Sequence, residues 1–175
     1  MSRLYLDEHK ARGYIVVATE VADADVTSVR RDVMSLRMKG QSRIHFTKES
    51  DRRRRVILSE LIRTGVRSHV YVSSAKHDEV ARDECLSALI GDVSRLGVTH
   101  IVLERDDSIV KFDRRILFRE IAAQGLGPSA IQYSHERSRD EPLLWISDAI
   151  AWSYGRGGEW RDRIDPLCTS IKVVP

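Results

Sequence analysis

The sequence predicts an α/β fold: a mixed central sheet that opens with an antiparallel hairpin and carries helices on both faces. Three observations predict it. Two strand-like runs, Arg3–Asp7 and Gly13–Val21, are separated only by a short polar turn. Beyond them, stretches with apolar residues at helical spacing alternate with short, strongly apolar runs. The helical stretches stop on glycines, at Gly40, Gly65, Gly97 and Gly125. A hairpin followed by alternating helices and strands gives a sheet that is part antiparallel and part parallel.

The elements follow in order. Asp25–Lys39 places Val26, Val29, Val33 and Leu36 on one helical stripe. Arg43–Phe46 is a short strand candidate, and Thr47 can cap the next helix, which carries Val56, Leu58, Leu61 and Ile62. Val66–Ser74 reads as a strand. Asp78–Leu96 reads as a helix with Leu86, Leu89, Ile90, Val93 and Leu96 aligned. Val98–Glu104 is a strand of buried type. A helix over Phe112–Gln124, a short strand over Ser129–Ser134 and a last long helix over Glu141–Ser153 complete the pattern. From Gly155 on the chain is rich in glycine and charge, with a final strand at Ser170–Val174. No linker or repeat divides the chain. One domain over 1–175 is expected, with its core at about 3–155 and a C-terminal tail at 156–175.

The composition bounds the class. With 175 residues, 42% hydrophobic and 31% charged, the chain suits one soluble domain with a substantial core. Cys85 and Cys168 form no disulfide framework and read as reduced thiols. No signal peptide and no bilayer-length apolar stretch is recognised, so a cytoplasmic protein without a membrane partner is expected. The net charge of +3 points only weakly to nucleic acid. Its distribution says more, because Lys48 and the run Arg52, Arg53, Arg54 and Arg55 fall together at a helix start. That run is either a solvated helix face or a ridge that contacts phosphates.

Asp148 is the residue that needs an explanation. At 100° per residue, Leu144, Trp145, Ala151 and Trp152 all fall within 60° of it, so the apolar side of its helix carries an acid. An unpaired ionised carboxylate is costly there. Glu141 lies two turns earlier on the same face. Ligand sites in open α/β sheets gather at the carboxyl ends of strands. Two acids end apolar strands: Asp7, with Glu8 beside it, after LYL, and Glu104 after THIVL. If those strands are neighbours and the last helix packs beside them, Asp7, Glu104 and Asp148 converge. Oxygen ligands alone suit Mg²⁺ or Mn²⁺, and a cation neutralises clustered carboxylates. The competing readings are a turn former or N-cap for Asp7, Asp106 and Asp107, and an ion pair with an arginine for Asp148.

The chain resembles the bacterial family known as domain of unknown function 3800, which is related to the ribonuclease H-like fold. The resemblance is carried by four segments, LYLDEHK, RIHFTKESDRRRRVILSEL, IVLERDDSIVKFDRRILFREI and LLWISDAIAW, and covers roughly Arg3 to Gly155. The last is the most specific. The chain departs from the family's pattern in three places. His9 and Lys10 stand where Ser-Gly is usual, Trp145 and Ser147 replace Gln and Ala, and the middle acid is Glu104 rather than Asp.

The resemblance implies a ribonuclease H-like domain. It further implies a site at Asp7, Glu104 and Asp148 holding two Mg²⁺ or Mn²⁺ ions, with Asp7 bridging them. Such paired metals lie about 3.5–4 Å apart and do phosphodiester chemistry. Glu8, His45, Asp106 and Glu141 are second-rank candidates. His45 would orient a water or a phosphate; a single backbone hydrogen bond is the favoured alternative. Lys48 and Arg52–Arg55 would contact the nucleic-acid backbone. The expected activity is a divalent-metal-dependent nuclease acting on RNA or DNA. The alternative is an inactive nucleic-acid-binding or protein-interaction module on the same fold, motivated by the altered turn after Asp7. A small-molecule domain of another kind is disfavoured, because no glycine-rich phosphate loop, nucleophile elbow or zinc spacing is present. Trp145 and Trp152 are expected in the core and Trp160 on the surface.

Overall fold

Period-two alternation sends the side chains of the first two strands into two separate cores. The computed structural model describes residues 1–175. Strand β1 (Ser2–Lys10) pairs antiparallel with β2 (Tyr14–Ala22), Leu6 facing Ala18. The turn between them closes on Arg12 and Gly13, at φ 53° and 122°. Strand β3 (Arg67–Ser73) continues antiparallel beside β2. Strand β4 (Val98–Glu104) lies parallel to β1 on its other side, and β5 (Gln132–Glu136) lies parallel to β4. Strand β6 (Cys168–Val174) runs parallel to β3. The sheet order is β5-β4-β1-β2-β3-β6. The mixed sheet and opening hairpin are as the sequence predicts.

Helices cover both faces. One core joins Tyr5, Ile15, Val17 and Val21 to residues of α1 (Val26–Ser35), α2 (Asp51–Arg63), α5 (Leu144–Arg156) and α6 (Glu159–Ile164). The other joins Leu4, Leu6, Val16 and Ala18 to α3 (Asp78–Leu96) and α4 (Val110–Ala123). Fully buried residues such as Leu89 and Ile90 stabilise this second layer by about 1.5–3 kcal/mol each. Gly97 stops α3 at φ 66°, a left-handed conformation that glycine adopts without penalty. No helix is long and apolar enough to cross a membrane.

Several local expectations are corrected. Arg43–Phe46 is not a strand: it is irregular chain leading into a 3-10 turn over Phe46–Lys48, although Ile44 and Phe46 are buried alternately as in a strand. Ser50, not Thr47, caps α2, accepting a hydrogen bond from the Arg53 N–H at 3.2 Å. Val56 and Ile62 face solvent, and Ile57, Leu58 and Leu61 form the buried stripe. The last long helix begins at Leu144 rather than Glu141, and the fifth strand lies at Gln132–Glu136 rather than Ser129–Ser134. Trp160 is buried, packed edge-on against Trp152 at 5.4 Å between ring centroids. It sits on α6, and with Ile164 and Leu167 it fastens the C-terminal segment to the first core.

Candidate functional site

The site lies where β1 and β4 end side by side. Leu6 pairs with Leu103, so the next residues, Asp7 and Glu104, stand as neighbours on parallel strands. Helix α5 brings the third acid. Ser147, buried in its first turns, donates to the Tyr5 carbonyl at 2.6 Å and shares a 2.7 Å hydrogen bond with Thr19. That polar pin draws α5 onto β1 and β2 and brings Asp148, the next residue, near enough for its charge to act on Asp7. Asp148 Oδ2 accepts the Phe46 N–H at 3.0 Å. Arg43 and His45 arrive on the same irregular segment.

The electrostatics follow from the packing. Burial pushes the Asp7 carboxyl well above the usual carboxylate range, and its hydrogen bond with Glu104 and the charges of Glu104, Asp148 and Glu8 push the same way. Burial also raises Glu104. Hydrogen bonds from Asp7 and Ser138 and the charges of Arg43 and His45 outweigh it and leave Glu104 below its ordinary value. Asp7 and Glu104 therefore titrate together, with the more buried Asp7 the harder of the two to ionise. Asp148 is raised, by burial first; the Phe46 N–H and the charges of His45 and Arg43 oppose that shift. Arg43 is the one cation at ion-pair distance from this trio, 3.4 Å from Glu104. Asp148 has no arginine partner, so the ion-pair alternative for it does not hold.

The other expected residues divide. Glu8 points to the opposite face of β1 and pairs with Arg82 at 3.2 Å. With Glu104, Arg105, Asp106, Asp107 and Arg137 it lines an open polar cleft of about 590 Å³. Asp106 caps its own loop, accepting from the Ser108 N–H and hydroxyl. Glu141 is held by Arg30 at 2.9 Å and stays out of the acidic cluster. In the basic run, Arg53 donates to the Leu36 carbonyl, and Arg54 to the carbonyls of Phe46 and Thr47. Arg54 also stacks 4.2 Å from the Trp152 ring centroid, and Arg55 pairs with Glu159 at 3.0 Å. Lys48 and Arg52 enter none of these pairs.

Sequence reasoning passed over three residues of the site: His9, Arg43 and Ser138. His9 lies two residues beyond Asp7, hence on the same strand face, a signal that period two provides. Burial lowers its basicity, and the charge of Asp148 opposes that shift. Its ring lies against α5 at Gly155, where an added Cβ would come within 2.6 Å of His9 Cδ2. Arg43 and Ser138 reach Glu104 from separate loops, and nothing local in the sequence marks them.

The donor chemistry fits a hard cation, since three carboxylates converge with no nitrogen or sulfur ligand among them. The side chains as they stand form a carboxyl pair, Asp7 with Glu104, and a backbone-bound acid, Asp148, and no group of three or more His, Cys, Asp or Glu is spaced to hold one ion. Binding a cation there requires the proton to leave and the carboxylates to turn inward.

Comparison with known proteins bears on the fold. The chain is similar to a chain of the solved structure of the PCNA:RNase HII complex from Archaeoglobus fulgidus. The TM-score is 0.60 at 18% identity, over 89% of this chain and 73% of that one. The fold is ribonuclease H-like. At that identity the likeness carries the fold alone. No protein-family model matches the chain, and no curated protein matches it.

Proposed function

We propose that the protein is a divalent-metal-dependent nuclease with Asp7, Glu104 and Asp148 as its working carboxylates. The observation that carries this reading is their convergence at one sheet end with a single half-buried cation, Arg43, against three acids. The ribonuclease H-like fold supports it, and so does the motif resemblance to domain of unknown function 3800. Mg²⁺ or Mn²⁺, when bound, would supply charge neutralisation and an activated water for phosphodiester hydrolysis. Asp7, beside Glu104 on the neighbouring strand, would supply a carboxylate to the bound ions. Glu104 and Asp148 approach from the strand end and the helix. Glu8 and Asp106 line the polar cleft that also contains Glu104. Lys48 and Arg52 are the cations of the basic run with side chains available to phosphates. Arg53, Arg54 and Arg55 instead fix the surface from which those two project.

Calorimetric titration with Mn²⁺ or Mg²⁺, followed by nuclease assays on single-stranded, duplex and hybrid substrates, tests the reading. Wild type is expected to bind and cut, and Asp7→Asn or Asp148→Asn to do neither. A wild type that binds no divalent ion, with Asp7→Asn only stabilising the fold, sinks it. Nucleic-acid binding that survives loss of the acids but disappears in a Lys48→Ala/Arg52→Ala double variant would instead indicate a binding module.

A further inference from the structure

Glu104 is the acid of the site with the most freedom. It carries one methylene more than Asp7 or Asp148, and its side chain is 30% exposed. Two donors meet on one of its oxygens. Arg43 donates to Oε1 at 3.4 Å. The Ser138 hydroxyl donates to Oε1 in a short hydrogen bond from within, while Asp7 holds the carboxylate from β1. Ser138 is 5% exposed, on the turn between β5 and α5. That turn is closed by the Asp140 and Glu141 N–H groups on the Arg137 carbonyl, at 2.9 and 3.0 Å. It is also tied to the helix, because the Trp145 indole N–H donates to the Ser138 carbonyl at 2.6 Å. Trp145 stands three residues before Asp148 on α5. One helix thus carries both the third acid and the clamp on the residue that restrains the second.

We propose that Ser138 is a positioning residue of the acidic site, holding Glu104 beside Asp7, with Trp145 fixing the serine. The proposal rests on the metal-centre reading above. A hydroxyl that merely satisfies a buried loop would influence stability alone. A hydroxyl that orients a ligand carboxylate changes metal affinity, because partners of ligating groups set how much of the ligand shell is prepared before the ion arrives.

The test is Mn²⁺ titration by calorimetry on the full chain, with near-UV circular dichroism and thermal melts as fold controls. Ser138→Ala is expected to weaken Mn²⁺ binding roughly tenfold, the lower end of what loss of such a partner costs. Ser138→Thr, which keeps the hydroxyl, is expected to restore most of that loss. Trp145→Phe, which keeps the hydroxyl but releases the turn, is expected to fall between Ser138→Ala and wild type. Wild-type affinity in Ser138→Ala overturns the proposal while leaving the metal centre standing, and failure of Ser138→Thr to recover affinity overturns it equally. If Ser138→Ala does not fold, unchanged affinity in Trp145→Phe overturns it. A wild type that binds no Mn²⁺ removes the metal centre and this proposal together.

Discussion

Asp113 and Asp7 are both carboxylates buried against the same sheet, on opposite faces, and the protein surrounds them differently. Asp113, fully buried on α4, receives Arg82 through two hydrogen bonds at 2.5 and 2.9 Å and His135 Nε2 at 2.9 Å. Arg82 in turn binds the Tyr14 hydroxyl at 3.0 Å and Glu8 at 3.2 Å. Burial alone would raise Asp113; the hydrogen bonds from Arg82 and His135 and their charges outweigh it and leave the carboxyl below its ordinary value. Asp7, 6% exposed on β1, is pushed up instead, by burial first and then by Glu104, Asp148 and Glu8. One face shows how this chain settles a buried carboxylate for structural purposes: it supplies a guanidinium of its own. The other face brings one guanidinium, Arg43, to Glu104 and none to Asp7 or Asp148 at ion-pair distance. Three acids against one guanidinium is the imbalance on which the proposed metal-dependent reading rests.

The largest expected effect tests the compensated side. Arg82→Met removes the cation and leaves the fully buried Asp113 without its guanidinium. Breaking a buried pair in this way costs about 3–5 kcal/mol. Urea unfolding at pH 7 is the measurement; a loss below about 1 kcal/mol would mean that Asp113 is already neutralised by His135 or by water, and the contrast between the faces would collapse.

A smaller effect is expected where the acidic face is tightest. Gly155→Ala drives a methyl group toward the His9 ring, 2.6 Å from Cδ2, with Ile15 Cδ1 at 3.3 Å behind it. Overpacking of this kind costs about 1–3 kcal/mol. Since His9 shares its strand face with Asp7, the same variant is expected to weaken Mn²⁺ binding. A neutral effect on both stability and affinity would show that the ring swings away freely and that His9 has no fixed place in the site.

The acidic half of this contrast was legible before folding, the Arg82–Asp113 half was not, and the illegible part has a common cause. Asp7, Glu104 and Asp148 stand out because each ends or interrupts an apolar run, and period-two and 3.6-residue patterns survive in the sequence. Helix α3 and strand β4 were read to the residue for the same reason. Arg43–Phe46 failed because Ile44 and Phe46 alternate like a strand while the Phe46 N–H goes to Asp148, 102 positions away. The arginine run was ambiguous because its partners are backbone carbonyls, the Trp152 ring and Glu159, which only the folded chain brings near. Trp160 was misplaced because its glycine- and charge-rich surroundings hide a short helix. Ser138 is one polar residue in a polar turn; only the fold distinguishes it.

The finest test compares the two faces through pH. Asp113 has a depressed folded pKa, so its contribution to stability is present above the unfolded value of about 3.9 and is lost as the pH falls through the folded value. Asp7 has a raised folded pKa, so the sign reverses. Its neutral form is accommodated at low pH, and stability is lost as the pH rises from about 3.9 through the folded value. Asp7→Asn removes that loss and is expected to stabilise the protein by about 0.5–2 kcal/mol at pH 7, the usual size of gain when a site built for function is relieved. The gain should vanish near pH 4 and grow as the pH rises. Saturating Mn²⁺ should raise the melting temperature of wild type and leave that of Asp7→Asn where it was, since a ligand stabilises only the form that binds it. Chemical denaturation across pH 4–8, with and without Mn²⁺, measures both. A pH-independent difference between the two proteins would mean that Asp7 keeps its charge through the whole range, and that Arg43 compensates the acidic face as Arg82 does the other.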